Sequence, residues 1–121
     1  MVKPIQGPKL YEPPVGQQDH ISNDALTEQL TAELNKFYPN TSIVYSLIKK
    51  GANPDATNIA GSTALVLAAT VGDLKLATLV IEKVANINTK TMDGGTALIR
   101  ALENKNYLVA MLIAKKLVEK F

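Results

Sequence analysis

The chain lacks cysteine and tryptophan and has a single histidine, His20. These absences exclude disulfides, thiolate nucleophiles and zinc sites built from cysteine and histidine. Aromatic residues make up only 5% of the sequence, so the core has to be aliphatic. The longest apolar stretches, such as residues 108–114, are far shorter than a membrane span. We therefore expect no metal, no cofactor and no membrane association.

An excess of charge of one sign is also missing. Thirteen Lys and Arg residues stand against eleven Asp and Glu residues in 121, which leaves a net charge of +2. This balance disfavours nucleic acid as a partner. The first lysine is followed by no apolar segment of the kind that marks a secretory signal. Together with the initial methionine, this predicts a complete, single-domain cytoplasmic protein.

Proline is concentrated at the start of the chain, where four of the six prolines fall within the first fourteen residues. Proline donates no backbone hydrogen bond and fixes φ, so this stretch suits neither a helix interior nor a central strand. We predict an extended or disordered arm over residues 1–23. His20 lies in this arm, where no rigid scaffold would hold a general base, so we expect no enzyme.

Helical periodicity begins at residue 24. One apolar stripe predicts a first helix that ends near Pro39, and a second apolar group predicts another helix that ends at Gly51. The stripe consists of Leu26, Leu30, Leu34 and Phe37, and the second group of Ile43, Val44, Leu47 and Ile48. The pattern therefore predicts a helical hairpin over residues 24–51.

The remainder of the chain repeats itself at a shift of 33 residues. When residues 52–83 are laid over residues 85–116, ten of the 32 pairs are identical, including a Thr-Ala-Leu run that begins at Thr63 and Thr96. A constant period of this length is typical of a solenoid, whose units bury their apolar faces by stacking.

The repeated residues also carry a family pattern. The stretches GANPD (51–55), GSTALVLAA (61–69) and GDL (72–74) resemble an ankyrin repeat, and residues 85–98 resemble it more loosely. The resemblance implies an all-α helix-turn-helix solenoid with short β-turn fingers. It divides the chain into an N-terminal capping hairpin (24–51), a repeat (52–84) and a C-terminal repeat or cap (85–121).

The same resemblance assigns local roles. Gly61 and Gly94 would make the finger turns, and Thr63 and Thr96 would cap the helices that follow. Lys105 stands where the first copy has an inter-helix glycine, so we expect the second copy to deviate at this turn. Residues Val84 and Leu117 replace further glycines, and we expect the last helix to run on toward residue 121.

The function implied by the resemblance is binding of a partner protein through the finger tips and the concave helix face. Ile59 and Met92 are apolar at the two predicted tips, where an exposed apolar side chain favours partner contact; the alternative is that each packs against its neighbour. The complete set of partner-binding candidates is Ile59, Thr70, Met92, Arg100, Glu103 and Asn104.

Other function classes stay open at this stage. The chain could be a self-assembling structural or adaptor protein, although we expect a monomer. It could also be an effector that an intracellular bacterium or a virus delivers into a host cell, which rests on family association alone. An enzyme using carboxylates alone is disfavoured because the available carboxylate pairs lie on predicted helix surfaces.

Overall fold

A computed structural model describes residues 22–84 and 86–119. The predicted arm therefore lies outside the described residues, apart from its last two. Regular structure in the described part consists of six helices. They are α1 (Asn23–Leu34), α2 (Thr41–Lys50), α3 (Ala64–Val71), α4 (Leu74–Lys83), α5 (Ala97–Glu103) and α6 (Tyr107–Glu119).

The helices pair into three consecutive hairpins and stack in two layers. Each odd-numbered helix packs on the even-numbered helix that follows it, α3 packs closely on α5, and α2, α4 and α6 pack in a row. This arrangement confirms the predicted all-α solenoid. The first hairpin differs from the others because α1 packs against α2 without comparable packing against α3.

Side-chain caps set where the helices begin. The Thr63 hydroxyl accepts the Val66 N–H at 3.3 Å, and the Thr96 hydroxyl accepts the Ile99 N–H at the same distance. Both caps were predicted from the repeat. At α1 it is Ser22 that caps, so the helix begins at the last residue assigned to the arm.

The core is a continuous aliphatic cluster that runs through all three hairpins. Its largest fully buried side chains are Leu26, Leu30, Ile48, Leu65, Leu76, Ile113, Val44, Val80 and Val109. Phe37 was predicted to join the α1 stripe, which is wrong, because its side chain is 94% exposed.

The position of Phe37 follows from where α1 ends. The helix stops at Leu34, five residues before Pro39, and a connecting loop (residues 35–40) begins there. The buried Glu33 carboxylate organises this loop, since it accepts the Asn40 N–H at 2.8 Å and pairs with the Lys36 ammonium at 2.8 Å. These contacts, led by the Lys36 hydrogen bond, lower the pKa of Glu33.

The two helix–helix turns share a residue with positive φ and one backbone hydrogen bond. Gly72 has φ of +82°, and Lys105 adopts +60° at the equivalent place. The bond from the Asp73 N–H to the Ala68 carbonyl (3.0 Å) recurs between Asn106 and Ala101 (2.8 Å). The predicted deviation is present but small: α5 ends one residue earlier than α3, and the Lys105 N–H bonds to the Leu102 carbonyl at 3.1 Å. Lys105 keeps the positive φ and therefore carries conformational strain.

The other two replaced glycines are Val84, at the end of α4, and Leu117, within α6. Val84 ends α4 in an extended conformation, with φ of −77°, because a β-branched residue avoids the left-handed region. Helix α6 has 13 residues against 10 in α4, so the last helix does run on.

Replacing Lys105 with glycine should stabilise the protein. The substitution removes the cost of positive φ, about 1–2 kcal/mol, and this gain is partly offset by the greater freedom of the unfolded chain. We expect a net increase of about 0.5–1 kcal/mol in the free energy of unfolding, measured with urea. The control is Lys105→Ala, which removes the same charge but keeps Cβ, so it should not increase the free energy of unfolding. If both variants were stabilised equally, positive φ at Lys105 would not be the source of the effect.

Candidate functional site

The two fingers are equivalent hairpin turns with apolar tips. We define the first finger as residues 58–62 and the second as residues 91–95. Each is closed by a backbone bond between its ends, of 2.9 Å in the first and 2.8 Å in the second. Ile59 is 86% exposed and Met92 is 81% exposed, so neither packs against its neighbour.

Hydrogen bonds join the fingers to one another and to the first hairpin. The Met92 N–H donates to the Ala60 carbonyl at 2.9 Å, and the Ile59 N–H donates to Asn35 Oδ1 at 3.0 Å. The Asn58 side-chain amide donates to the carbonyl of Leu34 at 2.9 Å. These hydrogen bonds therefore hold the connecting loop and the two fingers side by side, at fixed positions relative to one another.

An ion-pair network ties the second finger to α5. The Arg100 guanidinium donates to the Asp93 carboxylate, to Thr91 Oγ1 at 3.3 Å and to Glu103 Oε1 at 3.0 Å. The Asp93 carboxylate also accepts the Thr91 hydroxyl and the Gly95 N–H. These bonds, from Thr91 first, then Arg100 and Gly95, hold the pKa of Asp93 well below its ordinary value of 3.8. The same contacts raise the pKa of Arg100.

A shallow groove of about 200 Å³ lies between the connecting loop and α3. Leu34 and Lys36 line one side, and Val66, Leu67 and Thr70 of α3 line the other. The groove exists because α1 does not cover α3 in the way that α5 does. It offers mixed polar and apolar surface on the inner layer.

Comparison with known proteins decides the family. A family model for ankyrin repeats matches residues 32–120 in three copies. The chain belongs to the ankyrin-repeat family. Ankyrin repeats are generally protein–protein interaction modules and are typically non-catalytic. Among curated proteins, none matches the chain significantly.

The ankyrin fold divides the predicted partner-binding residues between two places. Thr70 lines the groove beside α3, and its hydroxyl donates to the Val66 carbonyl at 2.8 Å. Ile59 is at the tip of the first finger and Met92 at the tip of the second. The remaining three, Arg100, Glu103 and Asn104, lie on α5 or at its end. Glu103 pairs with Arg100, and the Asn104 side-chain amide donates to the Arg100 carbonyl at 2.8 Å.

Arg100 has a structural role that the sequence did not reveal. Its side chain is only 22% exposed, and its guanidinium is engaged with Asp93 and Glu103. Gly95 is buried beneath it, since a Cβ there would lie 2.9 Å from the guanidinium carbon. Arg100 therefore holds the finger that presents Met92.

Sequence reasoning missed Phe37 and Tyr38 as surface residues. They are 94% and 88% exposed, and their rings stack with centroids 5.5 Å apart. They belong to the connecting loop, in which the Asn35 side chain accepts the Ile59 N–H of the first finger. The available signal was a pair of adjacent aromatic residues directly before Pro39 in a chain with few aromatics.

No group of acidic or histidine side chains in residues 22–84 and 86–119 could hold a metal ion. None of the helices described is long and apolar enough to cross a bilayer.

Replacing Asp93 with asparagine should loosen the second finger, and the effect should depend on pH. Because the pKa of Asp93 is lowered in the folded protein, its ionised carboxylate contributes stability above its ordinary value of 3.8, and this contribution is lost as the pH falls further. We expect Asp93→Asn to reduce the free energy of unfolding at neutral pH, and the difference from wild type to shrink at acidic pH.

Urea unfolding of both proteins across the pH range measures this difference. Glu103→Gln is the matched control, because it removes another carboxylate from Arg100 without touching the finger. Its effect on the free energy of unfolding should be small, because the pair of Glu103 with Arg100 is exposed on the Glu103 side. A difference between Asp93→Asn and wild type that stays constant from neutral to acidic pH would contradict the assigned role of Asp93.

Proposed function

We propose that this ankyrin-repeat protein binds a partner protein through a finger-tip surface formed by Phe37, Tyr38, Ile59 and Met92. The observation that carries the proposal is the pair of equivalent tips, Ile59 and Met92, each more than four-fifths exposed on adjoining fingers. Apolar side chains clustered in this way on loops are typical of interaction sites.

The energetics favour such a surface. Burial of one large apolar side chain contributes about 1.5–3 kcal/mol, and aromatic residues are frequent hot spots of interfaces. The hydrogen bonds from Met92 to Ala60 and from Ile59 to Asn35 fix the tips before binding. Little conformational entropy is then lost on association, which increases affinity.

The inner layer supplies a second part of the proposed interface. Thr70 and the groove beside it adjoin the first finger, while Glu103 and Asn104 lie exposed at the end of α5. Polar groups around an apolar centre are the usual rim of a protein interface. In this proposal they contribute specificity, and Arg100 acts by positioning the second finger.

The double variant Ile59→Asp/Met92→Asp tests the proposal directly. Two carboxylates in place of the apolar tips should abolish recovery of the partner in affinity purification from cells that express the protein. The circular dichroism spectrum should stay helical, because both side chains are exposed and outside the helices.

Ile43→Asp/Val118→Asp is the matched control, since it adds the same two charges at exposed positions of α2 and α6, away from the fingers and from the groove beside α3. This control should retain the partner. Recovery of the same proteins with wild type and with the finger-tip variant would refute the proposed surface. A mass that rises with concentration in light scattering would instead favour the self-assembling alternative.

A further inference from the structure

The outer layer of the stack contains two equivalent grooves. We call them the first outer groove, between α2 and α4, and the second outer groove, between α4 and α6. The first is lined by Thr41, Ser42, Tyr45, Asp73 and Lys75. The Tyr45 ring is covered by two ammonium groups, those of Lys75 at 4.7 Å and Lys49 at 5.7 Å from its centroid. This groove has a volume of about 280 Å³, and its lining is polar and charged apart from the Tyr45 ring.

The second outer groove has the opposite character. It has a volume of about 400 Å³ and is lined by Leu74, Thr78, Leu108, Met111, Leu112 and Lys115. Leu74 is 41% exposed, and Leu108 and Met111 are each 66% exposed. These apolar side chains line a groove that is open to solvent.

The 33-residue repeat shows which substitutions create this difference. Tyr45 corresponds to Thr78, so the ring that lines the first groove is replaced by a short side chain. Lys75 corresponds to Leu108, which replaces the covering cation with an apolar group. The two outer grooves are therefore formed at equivalent helix positions, but the first is lined mainly by polar and charged groups and the second mainly by apolar side chains.

Positive charge borders the apolar surface at both ends. A second cavity, of about 320 Å³, adjoins the groove through Leu74 and Leu108 and is bordered by Lys105. Lys115 lies at the opposite end. Neither lysine forms an ion pair within the part of the chain that the structure describes, and no carboxylate lines either cavity.

The apolar lining of the second outer groove and the lysines at its ends indicate what kind of molecule would bind there. Leu108, Met111, Leu112 and Lys115 share one face of α6 at helical spacing, which matches the apolar stripe of another helix. Unpaired lysines at the ends favour carboxylates on that helix. Methionine side chains adapt to varied apolar partners. A second copy of this chain fits less well, since a two-fold interface on this face would bring like charges together.

We propose that the second outer groove binds an amphipathic helix of a partner protein, with leucine-like side chains on one face and carboxylates flanking them. This site lies on the layer opposite to the inner face and is separate from the finger-tip surface. It gives the protein a second binding site that can be occupied while the fingers are engaged.

The test uses a labelled synthetic helix of about 16 residues, roughly four turns, with Leu at positions i, i+3, i+4 and i+7 and Glu at both ends. Binding to the full chain is measured by fluorescence anisotropy. We expect saturable binding that weakens with added salt. A peptide with Lys in place of each Glu should bind at least about tenfold more weakly.

The decisive variant is Leu108→Lys/Met111→Thr, which gives α6 the residues that α4 carries at the equivalent positions, Lys75 and Thr78. Since both residues already occur at these places in the fold, the variant should remain folded. We expect it to bind the acidic helix at least about tenfold more weakly than wild type. Ile59→Asp/Met92→Asp should bind it as wild type does.

Several results would overturn the proposal. They are absence of binding to wild type, equal binding by the Leu108→Lys/Met111→Thr variant, and equal binding of the acidic and basic helices. Tighter binding of a peptide of residues 1–21 would assign the groove to the chain itself. Dimerisation of wild type that Leu108→Lys/Met111→Thr abolishes would assign it to a second copy.

Discussion

The close approach of α3 and α5 is the constraint on which the rest of the structure depends. Ala64 and Ala68 of α3, and Ala97 and Ala101 of α5, have no more than 1% of their surface exposed. Side chains without atoms beyond Cβ let the two helices pack closely, and this distance sets the spacing of successive units. We call these four residues the alanine seam.

The alanine seam determines where the fingers lie. Because α3 and α5 are held together, the turns that precede them come close enough for the Met92 N–H to bond to the Ala60 carbonyl. The network of Arg100 and Asp93 then fixes the second finger on α5. The outer layer follows from the same stacking, which places α4 beside α6 and forms the groove between them.

The repeated part of the chain was predictable because its information is local and occurs twice. Thr63 and Thr96 cap helices, Gly61 and Gly94 make turns, and the tips follow from their position between these residues. The first hairpin lies outside the clear repeat. The exposure of Phe37 depends on Glu33 closing the loop with Asn40, a side-chain contact that apolar periodicity cannot show.

Lys105 and Arg100 show two further limits of sequence reasoning. At Lys105 the local preference against positive φ is overridden, because α5 and α6 must pack as α3 and α4 do. Arg100 was predicted to contact a partner protein, and its bond to Asp93 of the finger, seven residues away, was not predicted. Both outcomes depend on tertiary contacts, which residue type and spacing alone do not specify.

Substitution of Ala101 by leucine tests the alanine seam most directly. Ala32→Leu is the matched control, since it makes the same change at an exposed position of α1. We expect Ala101→Leu to reduce the free energy of unfolding by about 1–3 kcal/mol, and to lower amide hydrogen-exchange protection in both α3 and α5. If Ala101→Leu changed stability no more than Ala32→Leu does, within about 0.5 kcal/mol, the central role of the seam would be contradicted.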